Sequence, residues 1–294
     1  MSNFIEFKNE LDRIILEEFL NTQNISGRMF RKLLKGGKIK VNEKVAKNKK
    51  ESLNSGDIVR LSISDESIDI EPQNISIEIL YEDEDILAVN KEPFIIVHPT
   101  TNVIDKTLSN AVAYYFLENN IHSKVRIINR LDRDTSGVIL FAKNTFGHQQ
   151  IARQLENNTA IKTYYAVVEG ILKTKEDIIN KAIGKNEDGL GQCIRPDGSE
   201  SITKYRVVEE YKNSSLLELE ILTGRTHQIR VHLLDLGHPV IGDTLYNKDC
   251  KDIKRQALHA YSIKLKKTRE QEIITIVASL PNDILHLINT LRAE

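Results

Sequence analysis

Residues 125–142 read VRIINRLDRDTSGVILFA, and this stretch decides which fold the rest of the chain must complete. The apolar runs at its two ends, residues 125–128 and 138–142, predict two strands. The loop between them, residues 129–137, holds two arginines and two aspartates. A loop that projects from a rigid sheet is a common position for catalytic side chains. The same charges could equally form surface ion pairs that contribute little, so the loop alone leaves both interpretations open.

The chain after residue 75 continues this pattern of strands and loops. Further strand-like runs lie at residues 86–89, 164–168, 216–221 and 273–277, and helical runs lie at 107–117, 146–155 and 225–236. Many gaps between strands have hairpin length and the helices intervene irregularly, which favours an α+β fold over a regular βαβ repeat. We therefore predict a mixed, largely antiparallel β-sheet with packed helices over residues 75–294. The sequence contains neither a Walker phosphate-binding motif nor a G-x-G-x-x-G dinucleotide fingerprint.

A second charged segment, LTGRTHQIRVHLLDLGHP, spans residues 222–239. An apolar stripe of Ile229, Leu233 and Leu236, followed by Gly237, predicts a helix that begins near Arg225. A cation in the first turn opposes the helix dipole by about 0.3–1 kcal/mol, which suggests a compensating anion nearby. An arginine that simply extends into water explains Arg225 equally well at this level.

A third segment, IKTYYAVVEG at residues 161–170, has the alternation of a strand. Tyr164, Ala166 and Val168 share one face, and Tyr165 lies on the other. By itself, a tyrosine in a strand is most often part of the core or of the sheet surface.

The N-terminal region, residues 10–63, predicts a small α/β module with a strongly basic part. Residues 26–50 contain ten Lys or Arg and one acid, although the net charge of the whole chain is −1. A predicted helix at Gly27–Lys35 places its cations on one face, and these are Arg28, Arg31, Lys32 and Lys35. Phosphate binding explains a face of one sign without acidic partners, whereas a merely solvated face is the alternative.

Length and composition limit the remaining classes. A chain of 294 residues suggests two domains, and we predict residues 1–70 and 75–294 with an acidic linker between them. The two cysteines, Cys193 and Cys250, lie in polar stretches without neighbouring ligands, so neither a disulfide framework nor a zinc site is expected. The sequence has no signal peptide pattern and no apolar run of about 20 residues, so we expect a cytoplasmic protein without membrane contact.

The three charged or aromatic segments together resemble the RluA-like family of pseudouridine synthases. The loop sequence Asn-Arg-Leu-Asp-Arg-Asp-Thr-Ser-Gly matches the catalytic signature of that family, which implies that Asp132 is the nucleophile and that Arg130 fills the space left by the target base. The motif TGRTHQIRVH at residues 223–232 implies that Arg225 pairs with the catalytic carboxylate, while Arg230 and the histidines are interpreted as structural. The family usually has His where this chain has Asn129, a departure that concerns the anchoring of the loop.

Two more matches extend the resemblance. The pattern Lys-x-Tyr-x-Ala at residues 162–166 implies that Tyr164 lies against the target base and that Lys162 contributes to RNA binding. The stretch SGRMFRKLLKGGKIKVNEK, residues 26–44, resembles the alpha-L RNA-binding motif of ribosomal small-subunit protein four. That likeness implies an RNA-docking module whose contacts are Arg28, Arg31, Lys32, Lys35 and Lys38.

The resemblance implies an isomerase that converts uridine to pseudouridine in RNA, with large-subunit rRNA favoured and tRNA as the second choice. Such a reaction needs no cofactor and no metal, and we expect a monomer. A non-catalytic RNA-binding factor is one alternative, but it would require damage to Asp132, Arg225 or Tyr164, and all three are present. A hydrolase is another, but the sequence shows no metal-binding histidine pair and no serine elbow to support it.

Overall fold

The structure is a computed structural model that describes residues 4–63, 66–101, 103–187, 189–247 and 253–294. The N-terminal residues form a small sheet with two helices. In chain order its elements are β1 (Phe4–Lys8), β2 (Ile14–Ile15), α1 (Leu16–Thr22), α2 (Gly27–Lys35), β3 (Ile39–Val41), β4 (Lys44–Val45), β5 (Ser52–Leu53) and β6 (Ile58–Ser62). Strands β1, β6, β3 and β4 form an antiparallel sheet in this order, and β2 pairs with β5.

Helix α2 has the bounds that the sequence predicts. Ser26 caps its first turn by accepting a hydrogen bond from the backbone N–H of Met29 at 3.2 Å. Phe30 and Leu33 are buried in the core of the N-terminal unit, which leaves the cationic face exposed. One side chain of this core, Phe146, comes from a distant part of the chain.

The remaining described residues build the larger part of the protein. Its elements are β7 (Glu78–Glu82), β8 (Ile86–Lys91), α3 (Leu108–Glu118), β9 (Arg126–Ile127), β10 (Ser136–Ala142), α4 (Thr145–Glu156), β11 (Ile161–Glu169), β12 (Glu176–Asn180), β13 (Ile183–Lys185), β14 (Gln192–Ile194), β15 (Ile202–Glu210), β16 (Ser214–Ile221), α5 (Gln228–Asp235), β17 (Leu258–Lys266), β18 (Ile273–Val277) and α6 (Asn282–Ala293).

A ten-stranded sheet dominates this part. Its main path runs β12-β15-β16-β11-β17-β10-β8-β7, while β18 pairs with β17 and β9 with β10. The pairings are antiparallel except for β10 with β17, among the strands that the structure describes. The prediction of a mixed, largely antiparallel sheet with packed helices is confirmed.

The short parallel contact between β10 and β17 sets the position of the charged loop. Gly137 lies opposite Ala260, and a Cβ atom at Gly137 would stand 2.2 Å from the carbonyl oxygen of Ala260. Gly137 also has φ +115°, a conformation that glycine alone adopts without strain. Its lack of a side chain therefore lets the two strands meet where the charged loop enters β10.

Two segments differ from the expectation. Only β9 (Arg126–Ile127) is a strand in the run 125–128, and α5 begins at Gln228 rather than near Arg225. The division at residues 70–75 stays a prediction. Ile68 and Ile70, on the N-terminal side of that boundary, pack against the core cluster that contains Val112 and Phe116 of α3.

Three further observations concern membranes, thiols and metals. No helix that the structure describes is long and apolar enough to span a bilayer. Cys193 is a free thiol, and Cys250 lies outside the described residues. Within the described ranges, no cluster of three or more His, Cys, Asp or Glu is placed to hold a metal ion.

Candidate active site

The three motifs of the sequence meet at one cleft of about 570 Å³. The loop between β9 and β10, residues 128–135, forms one wall and carries Asp132. Strand β11 contributes Lys162 and Tyr164, and the turn before α5 together with its first residues contributes the opposite wall. We call this the active-site cleft. Segments distant in sequence thus place a carboxylate, an aromatic ring and several cations around one space.

Asp132 is held by a single ion pair and remains accessible. Its Oδ2 accepts a hydrogen bond from Nη1 of Arg230 at 3.0 Å, and its side chain keeps 27% of its surface exposed to the cleft. Among the described residues, Oδ1 accepts no hydrogen bond. One carboxylate oxygen is therefore oriented by a guanidinium while the other is available for chemistry.

Arg230 is itself fixed by a second, fully buried carboxylate. Its Nε and Nη2 donate to the two oxygens of Asp243 at 2.6 and 2.8 Å, and Asp243 also accepts from the backbone N–H of Leu245 and Tyr246. Burial opposes the charge of Arg230, but the hydrogen bonds and charges of Asp243 and Asp132 outweigh it, and the pKa of Arg230 is raised. Arg230 is thus a permanently charged bridge between a buried anchor and an accessible carboxylate.

The expectation that Arg225 pairs with Asp132 is wrong for this geometry, and the interpretation of Arg230 as merely structural is wrong with it. Arg225 lies in the exposed turn before α5, and its Nε donates to the carbonyl of Glu200 at 3.1 Å. The helix begins three residues later than predicted, so the inward-facing cation of the first turn is Arg230. The cation in the first turn of α5 does have compensating anions, but this cation is the second arginine of the motif. Arg225 still lines the active-site cleft.

Tyr164 lines the active-site cleft, and its position against the target base stays a prediction. Its side chain is buried, and burial, with the charge of Asp132 as a second cause, raises the pKa of its hydroxyl. No described residue forms a hydrogen bond with that hydroxyl. Nearby, burial lowers the pKa of the Lys162 amine. The Nζ atom of Lys162 lies beside Gly224, 4.0 Å from the point that a Cβ atom would occupy on that glycine.

The loop that carries Asp132 is fastened through its backbone. Asn129 binds β10 on both sides, donating to the carbonyl of Val138 at 3.2 Å and accepting from the N–H of Leu140 at 2.7 Å. The fully buried Nζ of Lys91 donates to the carbonyl of Arg133 at 2.8 Å, and the buried Arg255 donates to that of Asp134 at 3.1 Å. Asn129 therefore anchors the loop at the position where the family usually has His.

Comparisons with known proteins show the family of this chain. Residues 85–235 match the family described as RNA pseudouridylate synthase. An uncharacterized RNA pseudouridine synthase of Bacillus subtilis, YhcT, is 39% identical over 86% of this chain and 84% of its own length. The chain belongs to the RNA pseudouridylate synthase family. It is an RNA pseudouridine synthase, an isomerase.

Other relatives of the synthase are similar to it in sequence, and a solved structure is similar to it in fold. The ribosomal large subunit pseudouridine synthase D of Vibrio cholerae is 31% identical over 97% of this chain and 91% of its own. The solved structure of human RNA pseudouridylate synthase domain containing 1 superposes with a TM-score of 0.58 at 28% identity, covering 76% of this chain and 98% of that one.

His227 is a residue of the synthase site that sequence reasoning placed among the structural histidines. Its backbone is left-handed, with φ 55°, and its Nδ1 lies 2.9 Å from the Tyr246 hydroxyl. That hydroxyl accepts from the N–H of Gln192 at 2.7 Å, so it can donate its own proton to Nδ1. Nε2 then carries the ring proton and faces Oδ2 of Asp132 at 4.0 Å. Burial, the largest cause, lowers the pKa of His227, which favours the neutral ring.

The cations predicted to bind RNA occupy two places on the synthase. Arg130 and Lys162 line the active-site cleft, where Arg130 is exposed and forms no ion pair with a described residue. Arg28 and Lys32 line a second cleft between α2 and α4. The other predicted contacts on the basic segment are Arg31 and Lys35, which are exposed, and Lys38, which is half-buried.

Proposed function

We propose that this synthase isomerises uridine in large-subunit rRNA, with Asp132 as its nucleophile. Support for the substrate comes from the relatives named ribosomal large subunit pseudouridine synthase D, which match nearly the whole chain. Support for the nucleophile comes from one observation, the accessible carboxylate of Asp132 pinned through Arg230 to the buried Asp243.

The reaction changes the atom through which uracil is bonded to ribose and consumes no second substrate. The bond between ribose C1′ and uracil N1 breaks, a bond between C1′ and uracil C5 forms, C5 loses a proton and N1 gains one. Substrate and product are isomers, so no oxidant, reductant or nucleotide enters the balance. An oxygen of Asp132 attacks the nucleoside as the glycosidic bond breaks, and the bond that it forms breaks again when C1′ joins C5, so the carboxylate is restored. The hydrogen bond from Arg230 fixes the direction of this carboxylate.

The target base must leave its stack to reach Asp132. Extruding a nucleotide costs a few kcal/mol, and a flat aromatic surface replaces part of the lost stacking. The ring of Tyr164 offers this surface beside Asp132. Arg130, exposed at the loop that carries Asp132, occupies the vacated space in the RNA, and Lys162 contacts the RNA on the same side. Arg225, at the opposite wall, faces the bound RNA.

One chain supplies every group of this site, which supports action as a monomer.

The basic face of α2 docks the RNA through its phosphates. An rRNA substrate would place the synthase in the cytoplasm. The same chemistry would act on tRNA if its uridine were presented in an open loop.

Asp132→Asn tests the proposal, because an amide of the same shape cannot serve as an anionic nucleophile. We expect pseudouridine formation in a large-subunit rRNA transcript, mapped by chemical modification, to fall below detection. RNA affinity should stay within about three-fold, because binding of the RNA backbone does not require a contact with Asp132. Activity that survives in the variant would show that another residue is the nucleophile.

A further inference from the structure

The second cleft of the protein lies between α2 and α4 and has a volume of about 780 Å³. Residues of the first half of α4 contact the N-terminal unit beside this cleft. Gln149 donates to the carbonyl of Asn24 at 2.6 Å, and Phe146 inserts into the N-terminal core. Both halves of α4 line the second cleft, the first half with His148 and Gln149 and the second half with Arg153 and Glu156.

The lining of this second cleft is cationic. Arg28, Lys32, Arg126 and Arg153 stand against Glu66 and Glu156 among the described residues of the lining. Glu66 binds Arg126 and lies 3.8 Å from Lys32, so it compensates charges at the base of the second cleft. Arg28 and Arg153 are exposed and form no ion pair with any described residue. Two unpaired guanidinium groups, one from each unit, thus face the same space.

The two clefts border each other. Arg126 lines the second cleft, and the next residue of β9, Ile127, lines the active-site cleft. At the end of α4, Leu155 lines the active-site cleft while Glu156 lines the second. A polymer that leaves the active site across this ridge enters the second cleft directly.

We propose that the second cleft binds the sugar–phosphate backbone of the RNA beside the target uridine, so that both units of the protein hold the same RNA strand. One guanidinium group can donate two parallel hydrogen bonds to two oxygens of a phosphate. Arg28 and Arg153 form no ion pair with a described residue that would compete for these donors. The described lining contains no Phe or Tyr, and its one aromatic ring is that of His148, whereas four of its side chains are cations, so we infer a contact with the backbone that is independent of sequence. This inference rests on the proposed function and adds to it the route of the flanking RNA.

The test reverses the two unpaired charges and compares the result with a matched control. The variant is Arg28→Glu with Arg153→Glu, and the control is Lys173→Glu with Lys212→Glu. The two control lysines are exposed, form no ion pair with a described residue and line neither cleft. Both pairs change the net charge equally. A neutral pair, Arg28→Gln with Arg153→Gln, serves if the reversed pair does not fold, as judged by circular dichroism and thermal melting.

The probe is an unmodified transcript of large-subunit rRNA, and filter binding is measured from 50 to 300 mM salt. We expect the Arg28/Arg153 pair to weaken binding at least ten-fold and to reduce the slope of log K against log salt by about two, one unit per lost phosphate contact. The control pair should shift affinity by less than about three-fold. Equal affinity and equal slope for both pairs would overturn the proposal.

Pseudouridine mapping on the same transcript separates this inference from the proposed function. If the wild type forms pseudouridine and the Arg28/Arg153 pair behaves like its control, the second cleft is not an RNA site and the enzymatic proposal stands. If the wild type forms none, the substrate assignment fails, while the binding measurements still decide the role of the second cleft.

Discussion

At the scale of single residues, the site depends on a guanidinium shared between two carboxylates. Asp243 is fully buried and Arg230 nearly so, while Asp132 is partly open to the active-site cleft. Removing one partner of a buried ion pair typically costs 3–5 kcal/mol, because it leaves an uncompensated buried charge. Asp132, the proposed nucleophile, is therefore positioned by a guanidinium that also neutralises the buried carboxylate of Asp243.

Arg230→Met should accordingly lower the free energy of unfolding by about 3–5 kcal/mol and abolish activity. Arg225→Met should change it by less than about 1 kcal/mol, because Arg225 is exposed and its side chain donates only to one backbone carbonyl. Adding Asp243→Asn to Arg230→Met removes the unpaired charge and should recover part of the stability but none of the activity. Urea unfolding and pseudouridine formation measure the two effects. Equal stability losses at Arg225 and Arg230 would contradict this account.

At the scale of elements, the loop between β9 and β10 is held in place because the buried side chains of Lys91 and Arg255 bind its backbone carbonyls. Lys91, the last residue of β8, reaches the carbonyls of Glu92 and Arg133 at 2.8 Å each. Burial lowers the pKa of Lys91 from 10.5 to about 7, and the charge of Asp134 opposes that shift. A neutral amine has two N–H groups, which is the number that these two carbonyls accept.

At pH 9.5, Lys91→Met should lower the free energy of unfolding by roughly 2 kcal/mol and reduce turnover per folded molecule, because the backbone of the loop loses this hydrogen bond. The folded pKa of about 7 lies below the unfolded value of 10.5, so the unfolded chain holds an extra proton between these values. The contribution of Lys91 to stability is therefore complete above pH 10.5 and is lost as the pH falls to 7. Between pH 7 and 9.5, the stability gap between the wild type and Lys91→Met should widen as the pH rises.

Lys143→Met is the matched control for this loop prediction. Lys143 is also a buried lysine, but it binds Glu82 and the carbonyl of Asp83 at 2.7 Å each, away from the loop. We expect it to lose stability and keep its turnover per folded molecule. A Lys91 variant with undiminished turnover, or a gap that narrows with rising pH, would show that Lys91 does not fasten the loop in this way.

At the scale of the whole molecule, the N-terminal unit and the larger part meet at α4, and the proposed RNA surface extends over both. The N-terminal core takes Phe146 from α4, and side chains of α4 bind the carbonyls of Gln23 and Asn24. This contact sets the distance between the basic helix and the active-site cleft. The position of the basic face relative to Asp132 is thus a property of the packed molecule.

Removal of residues 1–63 should weaken RNA binding and flatten its salt dependence, because fewer phosphates are neutralised. The deletion also exposes Phe146, so a second version carrying Phe146→Ser is measured beside it to separate lost contacts from lost solubility. Affinity for an rRNA transcript at several salt concentrations is the readout. Unchanged affinity and slope in the truncated protein would mean that the basic helix is a solvated surface.

Much of this molecule could be predicted from local patterns. Alternation and apolar runs indicated β10, β11, β16 and β18, and the stripe of Phe30 and Leu33 indicated α2, because these signals depend on neighbours in sequence. The start of α5 was misplaced by three residues, since Gln228 sets it through tertiary bonds to Thr203 and to the carbonyl of Ile202. That shift exchanged Arg225 for Arg230 as the partner of Asp132.

By itself, the sequence determined the family, the α+β class and the loop that offers Asp132, because motif spacing and strand periodicity are local properties of the chain. Only the tertiary structure decided which arginine reaches that carboxylate, that Asp243 holds this arginine, and that the two clefts share a ridge. The first of these joins side chains 98 residues apart and the second joins side chains 13 residues apart, and both pairs meet in a low-dielectric interior, where a charge persists only if the fold supplies its partner.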